Sequence, residues 1–198
     1  MVFTSPLKPR AMYVAPEESA REIGSMGFSI TPSMGVDFVF MPFSEVGLQF
    51  YWLNTLTNGA FLAKNKEVAD NVQMGILEGM KFMLLNPQEA MERHIKEHEE
   101  LALGKNGRLY VELGLGMTRA IMAAPESMEH GVGHTDLAKI DEQAKVVKQY
   151  AAGPNDREPP KAETFCSNNA LGKVTLTPAE WAEVRSSTQR YMKLLGKA

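Results

Sequence analysis

The chain has 198 residues, and Lys+Arg 21 against Asp+Glu 24 gives a formal net charge of −3, so bulk charge points neither to a nucleic-acid groove nor to an anionic membrane surface. With 44% hydrophobic and 23% charged residues, 16 Gly and 11 Pro, it has the composition of a folding chain able to bury a core, and 1–198 reads as a single domain. The lone cysteine, Cys166, excludes an internal disulfide, a CxxC redox pair and a cysteine-rich zinc site. The opening MVFTSPLKPR carries Lys8 and Arg10 but no following apolar core, so no export signal is expected, and no run of apolar residues suits a transmembrane helix.

In chain order, the first helix is expected near 16–25, where Ala15-Pro16-Glu17-Glu18 places proline at the first helical position. Strands follow at Phe28-Ser29-Ile30, Val36 through Phe40, Leu48 through Leu53 and Ala60-Phe61-Leu62-Ala63, on β-branched and aromatic runs. After residue 64 the signals are helical: 66–85, 87–103 from Asn86-Pro87, 107–123, 136–151 and 178–195. Thr177-Pro178-Ala179-Glu180 is also a capping box.

Core stripes are expected at Ala69, Val72, Ile76, Met80 and Met83; at Leu109, Leu113, Met117, Ala120 and Ala124; at Leu137, Ile140, Ala144, Val147 and Ala151; and at Trp181, Val184, Thr188, Tyr191 and Leu195. Gly75 and Gly79, one turn apart, predict a close approach by another element. The fold class is therefore α/β and helix-rich, with its strands in the first third, and residues 152–177 form an extended surface crossing.

Several constellations are candidates for chemistry. His94 and His98 have the four-residue spacing of metal ligands on a helix, but Met91 and Ile95 share their neighbourhood and no third ligand accompanies them, so no metal is expected. His130 and His134 flank Gly131-Val132-Gly133 and read as a polar turn before a helix capped by Thr135. Leu113-Gly114-Leu115-Gly116 lacks the lysine of a phosphate loop and lies within an amphipathic pattern. Cys166 reads as an unreactive thiol, so no catalytic residue is assigned, and no cofactor is implied. The richest mixture is Ser44 through Asn54, in which Glu45, Tyr51, Trp52 and Asn54 offer a carboxylate, aromatic faces and an amide suited to a small organic ligand.

Taken together, Thr57-Asn58-Gly59-Ala60-Phe61-Leu62-Ala63-Lys64-Asn65, a helix containing Gly79, and Asn86-Pro87-Gln88-Glu89-Ala90 resemble the solute-binding proteins of nitrate-, sulfonate- and taurine-type ABC importers. That family also includes thiamine-pyrimidine precursor synthases. Upstream, Pro16-Glu17 to Gly24 and Glu45-Val46-Gly47 with Tyr51 are similar to family elements. Downstream, so are Gly133-His134-Thr135-Asp136 and Glu163-Thr164-Phe165-Cys166-Ser167-Asn168. The resemblance covers 12–171, with 172–198 as an additional C-terminal amphipathic helix, and corresponds to the second half of a family member.

It implies part of a type II periplasmic-binding-protein fold, a small organic or anionic ligand held by Glu45, Tyr51, Trp52, Asn54 and Asn58, an ABC permease as partner, and a periplasmic setting. The cysteine-rich motif of the synthase branch has no counterpart here, which weighs against an enzyme of thiamine pyrimidine precursor biosynthesis. A third reading is an oligomeric interaction protein built on one lobe. A lobe without its mate would expose apolar surface, so a homo-oligomer is expected, with no nucleic acid and no direct membrane insertion.

Overall fold

In the computed structural model the described residues are Tyr51, 55–150, Gly153, Asn155, 157–169 and 174–194. They form α1 (Gly59–Lys64), α2 (Lys66–Leu85), α3 (Pro87–Glu97), a 3₁₀ turn (Glu99–Ala102), α4 (Gly107–Met122), α5 (Pro125–His130), α6 (Leu137–Tyr150), a second 3₁₀ turn (Ala162–Thr164) and α7 (Pro178–Leu194). The protein is helix-rich, and no strand occurs among the described residues. The helix expected near 16–25 and the strands at 28–30 and 36–40 lie outside the described residues, as does all of 48–53 except Tyr51, which is in no strand.

The remaining strand, Ala60 through Ala63, is corrected: these residues belong to α1. Asn58 supplies the reason, because its side-chain Oδ1 accepts from the Phe61 N–H at 2.7 Å and so caps a helix. Four apolar residues in a row suit either structure, and the cap decides.

Proline at the first helical turn marks the starts of α3 and α5. At α7 the capping box closes as expected: the Thr177 N–H donates to Glu180 Oε2 at 2.6 Å and the Glu180 N–H to Thr177 Oγ1 at 3.3 Å. The helix expected over 87–103 is interrupted at His98, whose non-helical backbone (φ −134°, ψ 63°) ends α3 before the 3₁₀ turn begins.

α7 packs on α4, α4 on α3, and α3 on α2. The main core joins Leu77 and Leu84 of α2 to Val132, Val174, Leu176, Trp181 and Val184. Met117 and Ala120 of α4 close on Tyr191 of α7, and Met91 and Ile95 of α3 meet Val111 of α4. The α7 stripe is thus buried as expected at Trp181, Val184, Thr188 and Tyr191, whereas Leu195 lies outside the described residues.

On α2 the expected stripe is rotated. Leu77 and Leu84 are fully buried, while Val72 and Ile76 face solvent in line with Val68. Gly75 and Gly79 admit no close neighbour, since a Cβ at either would meet nothing within 4 Å. The glycine that does permit an approach is Gly116, where a Cβ would lie 2.2 Å from Tyr191 Cζ. Leu109 and Val147 are likewise exposed, at the outer edges of stripes whose buried members are Met117 and Ala120 on α4 and Ile140 on α6.

Between α4 and α7, Arg119 is almost wholly buried. Its Nε and Nη2 donate to the Leu84 carbonyl at 3.1 and 2.7 Å, and Nη2 also donates to Ser187 Oγ at 3.1 Å. Leu84 O belongs to the last turn of α2, where carbonyls lack intrahelical partners and carry the negative end of the helix dipole, so a cation is well placed there. No helix of the described residues is long and apolar enough to cross a membrane.

Candidate functional site

Four polar side chains meet where α5 turns into α6. α5 begins at Pro125, places Glu126 in its first turn, and ends at Gly131. Gly131 and Gly133 have φ of 98° and 85°, values that glycine adopts without strain, and between them Val132 is anchored in the main core. This double-glycine turn aims His134 back at α5. The next residues start α6: the Asp136 carbonyl accepts from the Ile140 N–H at 3.2 Å and its Oδ1 from the Ala138 N–H at 2.9 Å. Asp136, not Thr135, is therefore the helix cap.

The Glu126 carboxylate is the hub. Its Oε1 accepts from the Tyr51 hydroxyl at 2.5 Å and lies 3.2 Å from His134 Nδ1, while Oε2 accepts from Lys139 Nζ, one turn into α6. An ionised carboxylate only accepts, so Nδ1 carries the proton in this contact. The Tyr51 hydroxyl in turn accepts from the Asp136 N–H at 2.9 Å, and Lys139 Nζ lies 5.9 Å from the centre of the Tyr51 ring. Alongside, Asn168 clamps the turn: its Oδ1 accepts from the Thr135 N–H at 3.1 Å and its Nδ2 donates to the Thr135 carbonyl at 2.8 Å.

Burial is the largest single influence on Glu126 and opposes ionisation. The hydrogen bonds from Lys139, Tyr51 and His134, together with the Lys139 charge, outweigh it and pull the carboxyl down to about 2. Tyr51 moves up, first through burial and then through its bond to Glu126, and Lys139 moves up through the same carboxylate. Glu126 is thus a charged anchor saturated with donors. With its hydroxyl both donating and accepting, Tyr51 is fixed from two sides.

Of the residues expected to bind a ligand, Tyr51 belongs to this network. Asn58 is exposed, and its side-chain oxygen is engaged as the α1 cap. Glu45, Trp52 and Asn54 lie outside the described residues. His94 on α3 and His98 just after it are exposed, their rings 4.9 Å apart, beside the buried Met91 and Ile95. No group of three metal-ligating side chains occurs among the described residues. His130 ends α5 instead of lying in a loop, and its ring sits 4.4 Å from that of His134. Burial, followed by the charge of Asp141, raises the Cys166 thiol above its usual value, in keeping with an unreactive residue.

Sequence reasoning passed over Glu126 and Lys139. The signal for α5 was available, since Ala124-Pro125-Glu126 repeats the Pro-Glu start seen at Ala15-Pro16-Glu17. The partnership with Tyr51, 75 residues away, was not available from spacing. No protein-family model matches the chain, and no curated protein or solved structure shows significant similarity to it.

Proposed function

We propose that this protein is a small-molecule binding protein, a divergent relative of the solute-binding proteins of nitrate-, sulfonate- and taurine-type ABC importers, built on one lobe of their α/β fold. The observation that carries this reading is the convergence of three segments that bear the resemblance. Tyr51, the Gly133–Asp136 turn and Asn168 come from distant parts of the chain and are tied to one another by the Tyr51–Asp136 and Asn168–Thr135 hydrogen bonds. Such a brace fixes the Tyr51 ring in position, and rigid aromatic faces beside polar groups suit small organic ligands. The ligand would take its direction from Glu45, Trp52 and Asn54, which flank Tyr51 in sequence, with Asn58 nearby in the chain.

Calorimetric titration of the purified chain with taurine, nitrate and an aminopyrimidine tests the reading. Taurine or the aminopyrimidine, each of which has an N–H to give the Glu45 carboxylate, is expected to bind saturably, with affinity about tenfold weaker in Glu45→Ala, as for loss of one hydrogen bond to a charged group. Absence of binding by all three, or equal affinity in Glu45→Ala and Asn54→Ala, overturns it.

A second reading, self-association, is favoured by a specific surface. Val68 and Val72 are 52% and 53% exposed on α2, Ile76 continues their stripe, and Phe61 and Leu62 of α1 are also exposed. Apolar residues aligned in this way mark interfaces more often than bare surface, and a two-fold dimer is the commonest closed assembly. Light scattering at micromolar concentration is expected to give about twice the 21.9 kDa chain mass, returning to one chain mass in Val72→Asp. A single-chain mass for the unaltered protein removes this reading.

A further inference from the structure

Away from the Glu126 network, and sharing no residue with it, a cavity of about 220 Å³ opens between α3, α4 and α7. At about 30 Å³ for each water it has room for roughly seven waters, the size of a small organic molecule. Its polar lining comes from Gln88, Glu112, Arg119, Ser187 and Arg190, and its apolar lining includes Leu115 and the Tyr191 ring.

The charges there do not balance. Glu112 is committed to Arg190, whose Nη2 donates to Glu112 Oε1 at 2.5 Å and whose guanidinium rests 4.5 Å from the Tyr191 ring centre. Arg119 is only 5% exposed and has no carboxylate within ion-pairing distance among the described residues. The Leu84 carbonyl and Ser187 hydroxyl occupy Nε and Nη2, and Nη1 has no acceptor among the described residues. Two guanidiniums and one carboxylate leave the lining with one net positive charge. A buried cation is costly without a counter-charge, and the helix-end carbonyl together with the more distant charge of Glu183, too far to form an ion pair, supplies only part of one.

We propose that this cavity binds a small monocarboxylate: its carboxylate accepts from Arg119 Nη1 and from Arg190, and its hydrocarbon part lies against Leu115 and the Tyr191 ring. A carboxylate suits the site because it returns the lining to neutrality and accepts charge-assisted hydrogen bonds. The apolar wall selects an organic acid over a bare inorganic anion.

The test is calorimetry and thermal unfolding of the full chain with sodium benzoate, using benzamide as the neutral isostere and sodium chloride to match ionic strength. Benzoate is expected to bind one per chain with Kd below about 1 mM, and to raise the folding constant about 11-fold at ten times Kd. Benzamide is expected to bind about tenfold more weakly, and Arg190→Gln, a change at an exposed side chain, to weaken benzoate by a similar factor. Arg119→Lys, which keeps a donor for the Leu84 carbonyl, is expected to lose the binding. Failure of benzoate to saturate in that range overturns the proposal. So does equal binding of benzamide, or full affinity in Arg190→Gln, which would place any bound benzoate elsewhere.

Discussion

Gly116→Ala is expected to destabilise the chain by about 2 kcal/mol, although alanine is the better helix former. Two effects of opposite sign meet at this residue. In mid-helix, alanine gains about 1 kcal/mol over glycine. Against that, the added Cβ would stand 2.2 Å from Tyr191 Cζ, where carbon atoms normally rest about 3.5–4.0 Å apart, and the other ring atoms nearby are no farther than 2.4 Å. Tyr191 is buried against Met117 and Ala120, so the ring cannot swing aside without opening the α4–α7 interface. Overpacking of this kind costs about 1–3 kcal/mol, and a ring trapped between two helices belongs at the upper end. Urea unfolding of Gly116→Ala in the native and Tyr191→Ala backgrounds decides the matter. Without the ring, only the propensity term remains, and Gly116→Ala is expected to stabilise by up to about 1 kcal/mol. An equal loss in both backgrounds would mean that Gly116 matters for a reason other than Tyr191.

Acid is expected to weaken the fold through Glu126. Its folded-state value of about 2 lies below the ordinary 4.5, so its contribution is fully present above about pH 4.5 and disappears as pH falls towards 2. At about 1.4 kcal/mol for each pH unit the full displacement sets an upper bound of about 3.5 kcal/mol. Solvent reaches 25% of the side chain, and screening reduces the contribution to on the order of 1–2 kcal/mol. In Glu126→Gln the loss of stability between pH 4.5 and 2 should be smaller by that amount, because the amide does not titrate. At pH 7, Glu126→Ala should cost about 2 kcal/mol, since Lys139 and the Tyr51 hydroxyl lose their acceptor while half-buried. Identical acid dependence in the Glu126→Gln and unaltered chains would show that the carboxylate does not brace the turn.

Helices were legible where local chemistry alone decides them. The capping box at Thr177 and Glu180 and the Trp181–Tyr191 stripe appeared as expected, because each rests on neighbours within one or two turns. Legibility failed where a competing local bond or the tertiary surroundings decide. Ala60 through Ala63 looked extended until the Asn58 side chain capped them as a helix. On α2 the apolar residues run most of the way round, through Val72, Met74, Ile76, Leu77, Met80 and Leu84, so the sequence could not say which arc would meet Trp181 and Val184. The Glu126 network was least legible of all. Its pairings span 8 to 75 residues, and no periodicity connects a tyrosine before α1 to a glutamate on α5.

The polar ties made by Arg119 and Glu126 also differ in how they can be undone. Burial lowers the Arg119 pKa, yet a guanidinium keeps its proton throughout the range in which proteins survive, and its partner at Leu84 is a carbonyl that does not titrate. Glu126 offers its three partners a full negative charge only while it is ionised. On acidification the α5–α6 turn and Tyr51 lose this charged tie and keep only the Asn168 clamp, the Asp136 bond and the Val132 anchor, while the Arg119 tie between α2, α4 and α7 is unchanged. Acid thus slackens the seat of Tyr51 and spares the tie that Arg119 makes between the helices.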